Sequence, residues 1–406
     1  MANVIIREVE PSSGLDMSAA LKSSSVLWAA GTAMFASCVP LFGEIPQYPL
    51  HYGRADIGRV FKDPVWQAVI ESDAFQRLAN VRFLGAIDYL VHPNGVPGHR
   101  RHTRFQHSLG VGVLALDASR TLDLDAVETR HVVVAALTHD LGHAPLSHSL
   151  EPVFKRRFGI THHAAGQQIL RGEAPVGRSL PNILAAHGLD LERVLALISG
   201  QGDGPAAALF ASPINIDTIE AIARSYSYAS GHAVETAPAV VLRASLRREG
   251  TRDQAVLDQF WQLKNVVYKH IINGRAGLLA DYLARCYMEQ HIDAFAVDSY
   301  FLDEKVLRRQ HGSLFSLLNK ARSLTNLRAC LSKMSLDNLV DAPSRCFYID
   351  ETSNDPADLQ SRYRQSKSVR QVKLGELIPG RTECHYRDDW LQADLEAFNA
   401  TCSYQL

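Results

Sequence analysis

The amino-acid sequence predicts a mainly α-helical protein with a small mixed α/β lobe at its C-terminal end. Across residues 56–331, apolar residues recur mostly at the three-to-four spacing of an amphipathic helix. Beyond residue 340 the sequence changes to short runs rich in aromatic and β-branched residues. A chain of 406 residues can also bury a large core. We therefore expect an N-terminal segment over residues 1–50, a helical domain over 51–335 and a C-terminal lobe over 336–406.

The first predicted helices lie close to the start of the helical domain. Apolar residues at helical spacing predict helices over residues 56–72 and 75–84. Thr103, with Gln106 three positions later, is typical of a capping box. This pair predicts that a helix starts there and reaches at least Leu116.

The remaining elements follow from the same spacing and from the residues that interrupt it. A helix is predicted over residues 132–143, where Gly142 and Pro145 end it. Further helices are expected over residues 164–170, 191–198, 217–226, 253–272, 276–290 and 304–331, and short strands over 345–349 and 369–374.

Composition excludes several classes of protein. The chain has 42 basic and 43 acidic residues, so its net charge of −1 does not favour nucleic acid or an anionic membrane as a partner. Its six cysteines are scattered and form no Cys-x-x-Cys pair, which argues against a zinc ribbon and against a secreted disulfide scaffold. We expect a cytoplasmic protein.

One uncharged stretch could suggest a membrane span. Residues 23–42 contain no charged side chain, but Gly31, Pro40 and several small polar residues leave them only moderately hydrophobic. The preceding residues also lack the basic start of a signal peptide. We expect a buried N-terminal helix and no membrane contact, with a membrane-associated protein as a rival hypothesis.

Histidine is concentrated in one part of the chain. Ten of the seventeen histidines lie between His92 and His163, and His139, Asp140, His143 and His148 form the densest group. Neutral imidazoles and carboxylates are ligands that divalent metals prefer in proteins. The sequence therefore predicts a metal site with hydrolytic chemistry.

The spacing within this group restricts where an ion can bind. Adjacent residues on a helix point about 100° apart, so His139 and Asp140 reach one ion only in a groove beyond the helix end. His143 would lie one turn further on the same helix face as His139. The alternative is that His139 and Asp140 only hydrogen-bond at a helix end. We disfavour it, because burying these groups without a metal is costly.

These residues and their neighbours resemble the HD-domain metal-dependent phosphohydrolases, and within them the deoxynucleoside triphosphate triphosphohydrolase branch. The resemblance covers roughly residues 55–330 and is most specific over 102–162. The matching motifs are Phe75-Gln-Arg-Leu, Leu84-Gly85, His102-Thr-Arg-Phe-Gln-His107-Ser-Leu-Gly-Val, Leu137-Thr-His-Asp-Leu-Gly-His-Ala-Pro-Leu-Ser-His148 and Thr161-His162, with weaker matches over 214–220 and 268–283.

The resemblance implies four metal ligands, which are His107, His139, Asp140 and Asp217. Two imidazoles and two carboxylates suit a divalent Fe, Mn, Zn, Ni or Mg ion and do not select among them. Asp217 has an alternative role, because Asp217 and Glu220 together could form a capping box. We favour the ligand.

The resemblance also implies roles at the phosphate. It makes His143 and His162 the catalytic residues, one of them a general acid, and it makes Arg104 a phosphate ligand. His148 is either a further phosphate ligand or a partner of the ligands. This chemistry is coherent, since a metal lowers the pKa of a bound water so that hydroxide can attack phosphorus, and a histidine can protonate the leaving oxygen. His92, His99, His102 and His163 are expected to be outside the site.

The sequence departs from this branch where the sugar is recognised. The position of a sugar-reading Gln is occupied by Phe83, and the positions of a Tyr and an Asp after the last ligand are occupied by Ala221 and Ser225. We therefore expect poor hydrolysis of deoxynucleoside triphosphates, with Phe83 offering a flat apolar wall to the substrate.

The function expected from the sequence is hydrolysis of a nucleotide or a related phosphate ester by a homo-oligomeric enzyme. The rival hypothesis is a catalytically altered nucleotide sensor or oligomeric scaffold with the same fold. A basic run in the C-terminal lobe could bind nucleic acid or an effector phosphate, but a solvated face is the favoured interpretation. The run consists of Arg362, Arg364, Lys367, Arg370 and Lys373.

Overall fold

The structure, a computed structural model, describes residues 51–90, 102–201, 204–230, 233–321, 323–332, 334–353 and 358–378. These residues are mainly helical, which confirms the predicted fold class. The segment predicted over residues 1–50 lies outside them. The α-helices are α1 (Arg54–Val60), α2 (Pro64–Glu71), α3 (Asp73–Arg77), α4 (Ile87–Leu90), α5 (Arg104–Thr121), α6 (Ala126–Thr138), α7 (Glu151–Phe158), α8 (His162–Leu170), α9 (Leu180–Ala186), α10 (Leu191–Ile198), α11 (Pro205–Ala211), α12 (Ile216–Ser230), α13 (Pro238–Arg247), α14 (Gly250–Val267), α15 (Arg275–Gln290), α16 (Glu304–Gln310), α17 (Gly312–Lys320), α18 (Leu324–Leu331) and α19 (Leu359–Arg362).

The helix predicted over residues 56–72 is two helices, α1 and α2. Asp63 accepts a hydrogen bond from the backbone N–H of Val65 at 3.0 Å and so caps α2. Pro64 occupies the first position of α2, where its missing N–H leaves no intrahelical bond unmade. The apolar spacing continues through this break, so the prediction of one helix was wrong.

The helix predicted over residues 304–331 is three helices, α16 to α18. His311 leaves the helical conformation between α16 and α17, and its ring stacks on Phe295 with the ring centroids 4.1 Å apart. Ser323 then caps α18 by accepting from the backbone N–H of Asn326 at 3.3 Å. The apolar spacing again continues across points where the chain turns.

Helix α5 lies in the centre of the helical body and packs on both α6 and α12. Its contact with α6 is close at Gly112, since a Cβ placed there would come within 2.9 Å of Leu137 Cδ2 and 3.1 Å of the Phe61 ring. This packing brings three helix ends to one place: the start of α5, the end of α6 and the start of α12.

The C-terminal lobe is built on an antiparallel hairpin of two strands, β1 (Leu339–Ile349) and β2 (Tyr363–Lys373). Both strands are longer than the predicted ones. The hairpin packs on α14, where Trp261 Nε1 donates to the Tyr348 carbonyl at 3.1 Å and the Trp261 ring meets Phe347 edge-on at 5.3 Å.

The basic run, which begins at the last residue of α19 and continues along β2, does not form one continuous surface. Successive residues of a strand point to opposite faces. Arg362 pairs with Asp258 at 2.5 Å and is buried, and Lys373 pairs with Asp337 at 2.9 Å. This dispersion weighs against an extended nucleic-acid surface.

The uncharged stretch over residues 23–42 lies outside the described residues. Within the described part, the helical stretch Pro205–Ser230 is long and apolar enough to cross a membrane by length and composition, and half of its most apolar window is buried in the protein. A core helix meets the same criterion, and this stretch carries Asp217 of the candidate site.

Candidate metal centre

The start of α5 places the first predicted ligand. Thr103 caps the helix by accepting from the backbone N–H of Gln106 at 3.4 Å, as expected. The Gln106 side chain does not return to Thr103; it instead bridges the backbone N–H and carbonyl of Tyr52, at 2.6 and 3.1 Å. The capping box is therefore only half formed, and His107 follows in the first turn, fully buried.

The second and third predicted ligands lie where α6 ends. This helix stops at Thr138, earlier than predicted, and the chain continues in tighter turns, with Leu141 N–H donating to the Thr138 carbonyl and His143 N–H to the Asp140 carbonyl, both at 3.1 Å. His143 is therefore not one helical turn above His139, and that part of the prediction was wrong. Instead, His143 Nε2 contacts Asp140 Oδ1 at 3.1 Å.

The turn after Asp140 lies directly on the start of α8. A Cβ added to Gly142 would come within 1.9 Å of the His162 carbonyl oxygen and 2.5 Å of Gly166 N. Only a residue without a side chain allows this approach. The role of Gly142 is therefore to bring His143 beside His162, in addition to the predicted interruption of a helix.

Two buried side chains, neither of them predicted to have a role, fix the backbone of this turn on the side away from the cluster. The Arg77 guanidinium donates to the carbonyls of Leu141 at 2.5 Å and His143 at 2.9 Å. The Glu304 carboxyl accepts from the backbone N–H of Leu146, a residue with a left-handed φ of 60°, at 3.2 Å. Arg77 belongs to the Phe75-Gln-Arg-Leu motif, which is the signal that could have indicated it.

The structure brings the four predicted metal ligands together. His107 Nε2 lies 3.1 Å from Asp217 Oδ1, 3.4 Å from Asp140 Oδ2 and 3.3 Å from His139 Nε2. His139 Nε2 lies 3.5 Å from Asp140 Oδ1 and 3.6 Å from Asp217 Oδ1. Two imidazoles and two carboxylates from three separate helix ends thus converge on one small volume.

Both imidazoles are oriented by a bond on their other nitrogen. His107 Nδ1 bonds to the carboxylate of Glu220, which is fully buried and is held in turn by Arg224. His139 Nδ1 donates to the Ala136 carbonyl at 2.8 Å. These bonds leave each Nε2 to face the cluster, which is the arrangement of metal-binding histidines with a carboxylate or carbonyl behind them.

Asp217 does not cap α12. Asn215 fills that role, since its side-chain oxygen accepts from the backbone N–H of Thr218 at 2.7 Å. The Asp217 carboxylate is half exposed and faces the two imidazoles, while Glu220 contacts His107. The alternative of an Asp217–Glu220 capping box was therefore wrong. The contact between Glu220 and His107 was not predicted.

The charged groups of the cluster shift one another's pKa values. Burial by itself would raise the pKa of Asp140, but the Arg104 guanidinium and neighbouring imidazoles outweigh it and hold the pKa well below its usual range. Burial lowers the pKa of His139, whereas Asp140 and Asp217 raise it more strongly, to about 9. The buried Asp140 carboxylate is therefore ionised at neutral pH, as metal ligation requires.

A second group of imidazoles adjoins the first and contains His143, His148 and His162. One ligand atom from each lies within 4.8 Å of the others, and the rings of His143 and His162 stack 4.6 Å apart. Glu151 orients two of them, since its carboxylate accepts from His162 Nδ1 at 2.7 Å and His148 Nδ1 at 3.1 Å. Glu151 was not predicted. Its position at the start of α7, three residues after His148, was the available signal.

Arg104 joins the metal cluster to the backbone and side chains that surround it. Its guanidinium donates to Asp140 Oδ2 at 2.7 Å, to Ser147 Oγ at 3.1 Å and to the Phe83 carbonyl at 3.0 Å. Three of its five N–H groups are thus used within the protein. Contact between Arg104 and a phosphate stays a prediction that rests on the other two.

Phe83 is not the open wall that the sequence suggested. Its ring is 5 % exposed and packs between the His107 ring, at 4.8 Å, and the Arg104 guanidinium, at 4.9 Å. The side chain therefore supports two site residues from behind. Ala221 and Ser225 lie on α12, where Ser225 is buried and Ala221 is partly exposed.

The histidines expected to be outside the site are placed as follows. His102 is buried between His51 and Tyr228, with ring centroids 4.9 and 5.2 Å away. His163 is exposed in the first turn of α8. His92 and His99 lie outside the described residues.

Comparisons with known proteins agree with this geometry. The family model described as "HD domain" matches residues 104–221, which include all four candidate ligands and the second imidazole group. The uncharacterized protein MG461 of Mycoplasma genitalium is 36% identical over 159 residues, covering 34% of this chain and 35% of that protein. The deoxynucleoside triphosphate triphosphohydrolase SAMHD1 of Gallus gallus is 33% identical over 171 residues, covering 37% of this chain and 27% of that protein.

The similarity to these curated relatives is local, because the chain spans about a third of their length. Among solved structures, a hypothetical protein from Aquifex aeolicus has a TM-score of 0.54 and 18% sequence identity, covering 78% of this chain and 94% of that one. That similarity concerns the fold alone. The chain therefore contains an HD domain over residues 104–221 and resembles the deoxynucleoside triphosphate triphosphohydrolase branch of the HD-domain phosphohydrolases.

Proposed function

We propose that the protein is a metal-dependent phosphohydrolase that cleaves a nucleotide or a related phosphate ester. The observation that carries this proposal is the convergence of His107, His139, Asp140 and Asp217. The Nε2 atom of each imidazole lies 3.1–3.6 Å from a donor atom of each of the other three residues. The second imidazole group lies directly beside them and is joined to them by the contact between His143 and Asp140.

The residues fit a divalent ion. Two neutral imidazoles and two carboxylates suit Fe, Mn, Zn, Ni or Mg, and the bonds from Glu220 and Ala136 already select the required tautomers. When bound, such an ion would lower the pKa of a water molecule and stabilise negative charge on the phosphoryl oxygens.

The second imidazole group can hold the phosphate and supply a proton. Because Glu151 occupies Nδ1 of both His148 and His162, the Nε2 of each remains to contact substrate. In hydrolysis the water oxygen forms the new bond to phosphorus, the ester P–O bond breaks, and His143 or His162 protonates the leaving oxygen. His148 and Arg104 would hold phosphoryl oxygens.

A nucleotide is the proposed substrate class because SAMHD1, which is similar over the HD domain, is named for its action on deoxynucleoside triphosphates. The changes at Phe83, Ala221 and Ser225 support a substrate range that differs from that of SAMHD1. A homo-oligomeric state and a cytoplasmic location stay predictions, to be checked by light scattering of the purified protein and by fractionation of cells.

Mass analysis of the products tests the proposed activity. The metal-loaded protein is incubated with mixed nucleotides and phosphoesters, and Asp140→Asn serves as the matched control. Release of phosphate, diphosphate or triphosphate by the wild-type protein but not by the variant is expected. Tight nucleotide binding with no product from the metal-loaded protein would contradict the proposal and favour the rival sensor.

A further inference from the structure

A cavity of about 640 Å³ opens beside Asp217, on the side of the metal centre formed by α12, α14 and the C-terminal hairpin. Its lining includes Asp217 from the helical domain and Arg345 and Lys367 from the hairpin. None of the three histidines of the second imidazole group lines it. Ligand pockets for small molecules commonly have volumes of about 300–1,000 Å³.

The cavity is cationic. Lys264, Arg345 and Lys367 all line it, whereas Asp217 is the one carboxylate among the described residues that do. Arg364 also lines the cavity, but it is within 3.3 Å of Asp350. A group of cations with so little compensating charge is suited to an anionic ligand.

Two of these cations lie directly opposite each other in the hairpin. Arg345 on β1 is the register partner of Lys367 on β2. Like charges at such a position are destabilising, and no carboxylate in the described part of the chain forms an ion pair with either. An anion bound between them would remove the repulsion.

Lys264 adds a third cation from α14. Its side chain is 8 % exposed, and its Nζ lies 4.4 Å from the centroid of the Trp261 ring and 4.7 Å from that of Phe347. Its Nζ donates a long hydrogen bond, 3.5 Å, to the Pro213 carbonyl. A buried ammonium group is costly unless it is paired, so an anionic ligand would stabilise this arrangement as well.

The same cavity has aromatic walls. The rings of Tyr268 and Phe347 pack with centroids 4.7 Å apart, and Trp261 packs edge-on against Phe347. Trp261 and Phe347 are buried and support this wall, whereas Tyr268 is partly exposed, so a planar ring of a ligand can stack on Tyr268. The cavity therefore combines a place for a planar ring with a place for an anion.

We infer that this cavity holds the part of the substrate remote from the scissile phosphoester, and that the substrate carries a second phosphate bound by Lys264, Arg345 and Lys367. This inference rests on the proposed phosphohydrolase function. The substrate class is then a nucleotide with two separated phosphates, of which one is cleaved at the metal centre and the other anchors the molecule against the hairpin.

Matched substrates test the inference. The metal-loaded protein is assayed with adenosine 3′,5′-bisphosphate, adenosine 5′-monophosphate and adenosine 3′-monophosphate. We expect kcat/KM for the bisphosphate to exceed that of both monophosphates by about tenfold or more, chiefly through a lower KM, since charge-assisted bonds to phosphate are strong. A fourth substrate, a 5′-phosphorylated adenine dinucleotide, separates a free nucleotide from an oligonucleotide as the source of the second phosphate.

The double variant Arg345→Gln, Lys367→Gln should abolish most of the advantage of the bisphosphate. Both side chains are exposed on the hairpin, so the fold should survive, which circular dichroism checks. The control is Arg370→Gln, an exposed residue of β2 that does not line the cavity. It should leave the preference unchanged.

Calorimetric binding keeps the inference testable apart from hydrolysis. If no substrate is cleaved, the proposed function fails. The cavity is then tested by whether the bisphosphate binds about tenfold more tightly than the monophosphates, and whether the double variant loses that difference. Equal affinity for mono- and bisphosphates, or a preference that survives in the double variant, would overturn the inference.

Discussion

Four of the five imidazoles of the site have a hydrogen-bond partner on Nδ1, the ring nitrogen that faces away from the site. Glu220 lies behind His107, the Ala136 carbonyl behind His139, and Glu151 behind both His148 and His162. The exception is His143, whose buried Nδ1 has no hydrogen-bond partner among the described residues. Its orientation instead comes from Asp140 and from stacking on His162.

Loss of a metal ligand should abolish both metal binding and hydrolysis. In Asp140→Ala or His139→Ala one of the four proposed ligands is removed. We expect the helical circular dichroism signal to survive, since both side chains lie beyond the end of α6. Elemental analysis of the purified variants measures the metal, with His187→Ala, an exposed residue at the end of α9, as the control. Full metal occupancy with wild-type turnover in either variant would rule out the ligand assignment.

The second imidazole group should matter for chemistry and not for metal retention. His143→Ala and His162→Ala should keep the metal but lower kcat by roughly 10²–10⁴-fold, the usual contribution of a general acid. Metal content and single-turnover rates of the same preparations separate the two effects. Loss of metal from both variants would instead make these histidines ligands of a second ion.

The sugar-reading positions predict the pattern of substrate preference. A site that hydrogen-bonds a sugar hydroxyl can reject analogues by about 10⁴-fold or more, and Phe83, Ala221 and Ser225 offer no equivalent of those groups. We therefore expect similar kcat/KM values for ATP and dATP and for GTP and dGTP, with poor hydrolysis of the deoxynucleotides. Efficient hydrolysis of dATP and dGTP with strong rejection of ATP and GTP would contradict this.

The tight turn between α6 and α7 connects the two imidazole groups. Its backbone is held by Arg77 and Glu304, and it touches α8 through Gly142. A small displacement of this turn would move His143 relative to both Asp140 and His162. The geometry of the site therefore depends on the packing of one short connection.

Gly142→Ala should both destabilise the protein and impair the site. The added methyl group would meet the His162 carbonyl and backbone atoms of α8, which cannot move without shifting that helix. We expect a loss of about 2 kcal/mol or more in the free energy of unfolding, as for other overpacked sites. Chemical denaturation and kcat measure the two effects.

Gly58→Ala is the matched control for this variant. A Cβ at Gly58, inside α1, meets no atom within 4 Å. Alanine is favoured over glycine in a helix by about 0.5–1 kcal/mol, so this variant should be unchanged or slightly more stable. Equal stability of the two variants would show that Gly142 is not in close contact with α8.

At the scale of the whole molecule, the buried carboxyl of Glu304 forms hydrogen bonds to residues that are far apart in the sequence. It accepts from the backbone N–H of Arg82 at 2.7 Å and of Leu146 at 3.2 Å, and it also bonds to Tyr89. Burial raises its pKa from 4.5 to about 7, although these bonds oppose the increase. Between about pH 4.5 and 7, the folded protein therefore retains a proton on Glu304 that the unfolded chain loses.

Glu304 should make stability depend on pH between about 4.5 and 7. Because its pKa is raised in the folded state, its contribution is most favourable below pH 4.5 and falls as pH rises through this window, by on the order of 3 kcal/mol. Glu304→Gln cannot titrate but can keep the bonds to both N–H groups. The variant should gain stability relative to wild type from pH 5 to pH 8 in urea unfolding, and a constant difference across that range would contradict this.

Local sequence determined much of the fold. The helical spacing, the cap at Thr103 and the strands of the C-terminal lobe each depend on residues close together in the chain, and each is present in the structure. The errors concern where helices break. At Pro64 and His311 the apolar pattern continues although the backbone turns, because the buried face is shared by two successive helices.

The sequence by itself indicated a metal site within residues 102–162, since imidazoles and carboxylates at that density suit a metal. The four candidate ligands came from the resemblance to the HD-domain phosphohydrolases. Only the tertiary structure decided which groups stand behind them. The contact between His107 and Glu220 spans 113 positions, and the one between Arg82 and Glu304 spans 222. The cavity between Asp217 and the hairpin likewise joins separate segments. Such contacts depend on how the helices pack against each other. They cannot be predicted from residue spacing, because spacing indicates only local structure.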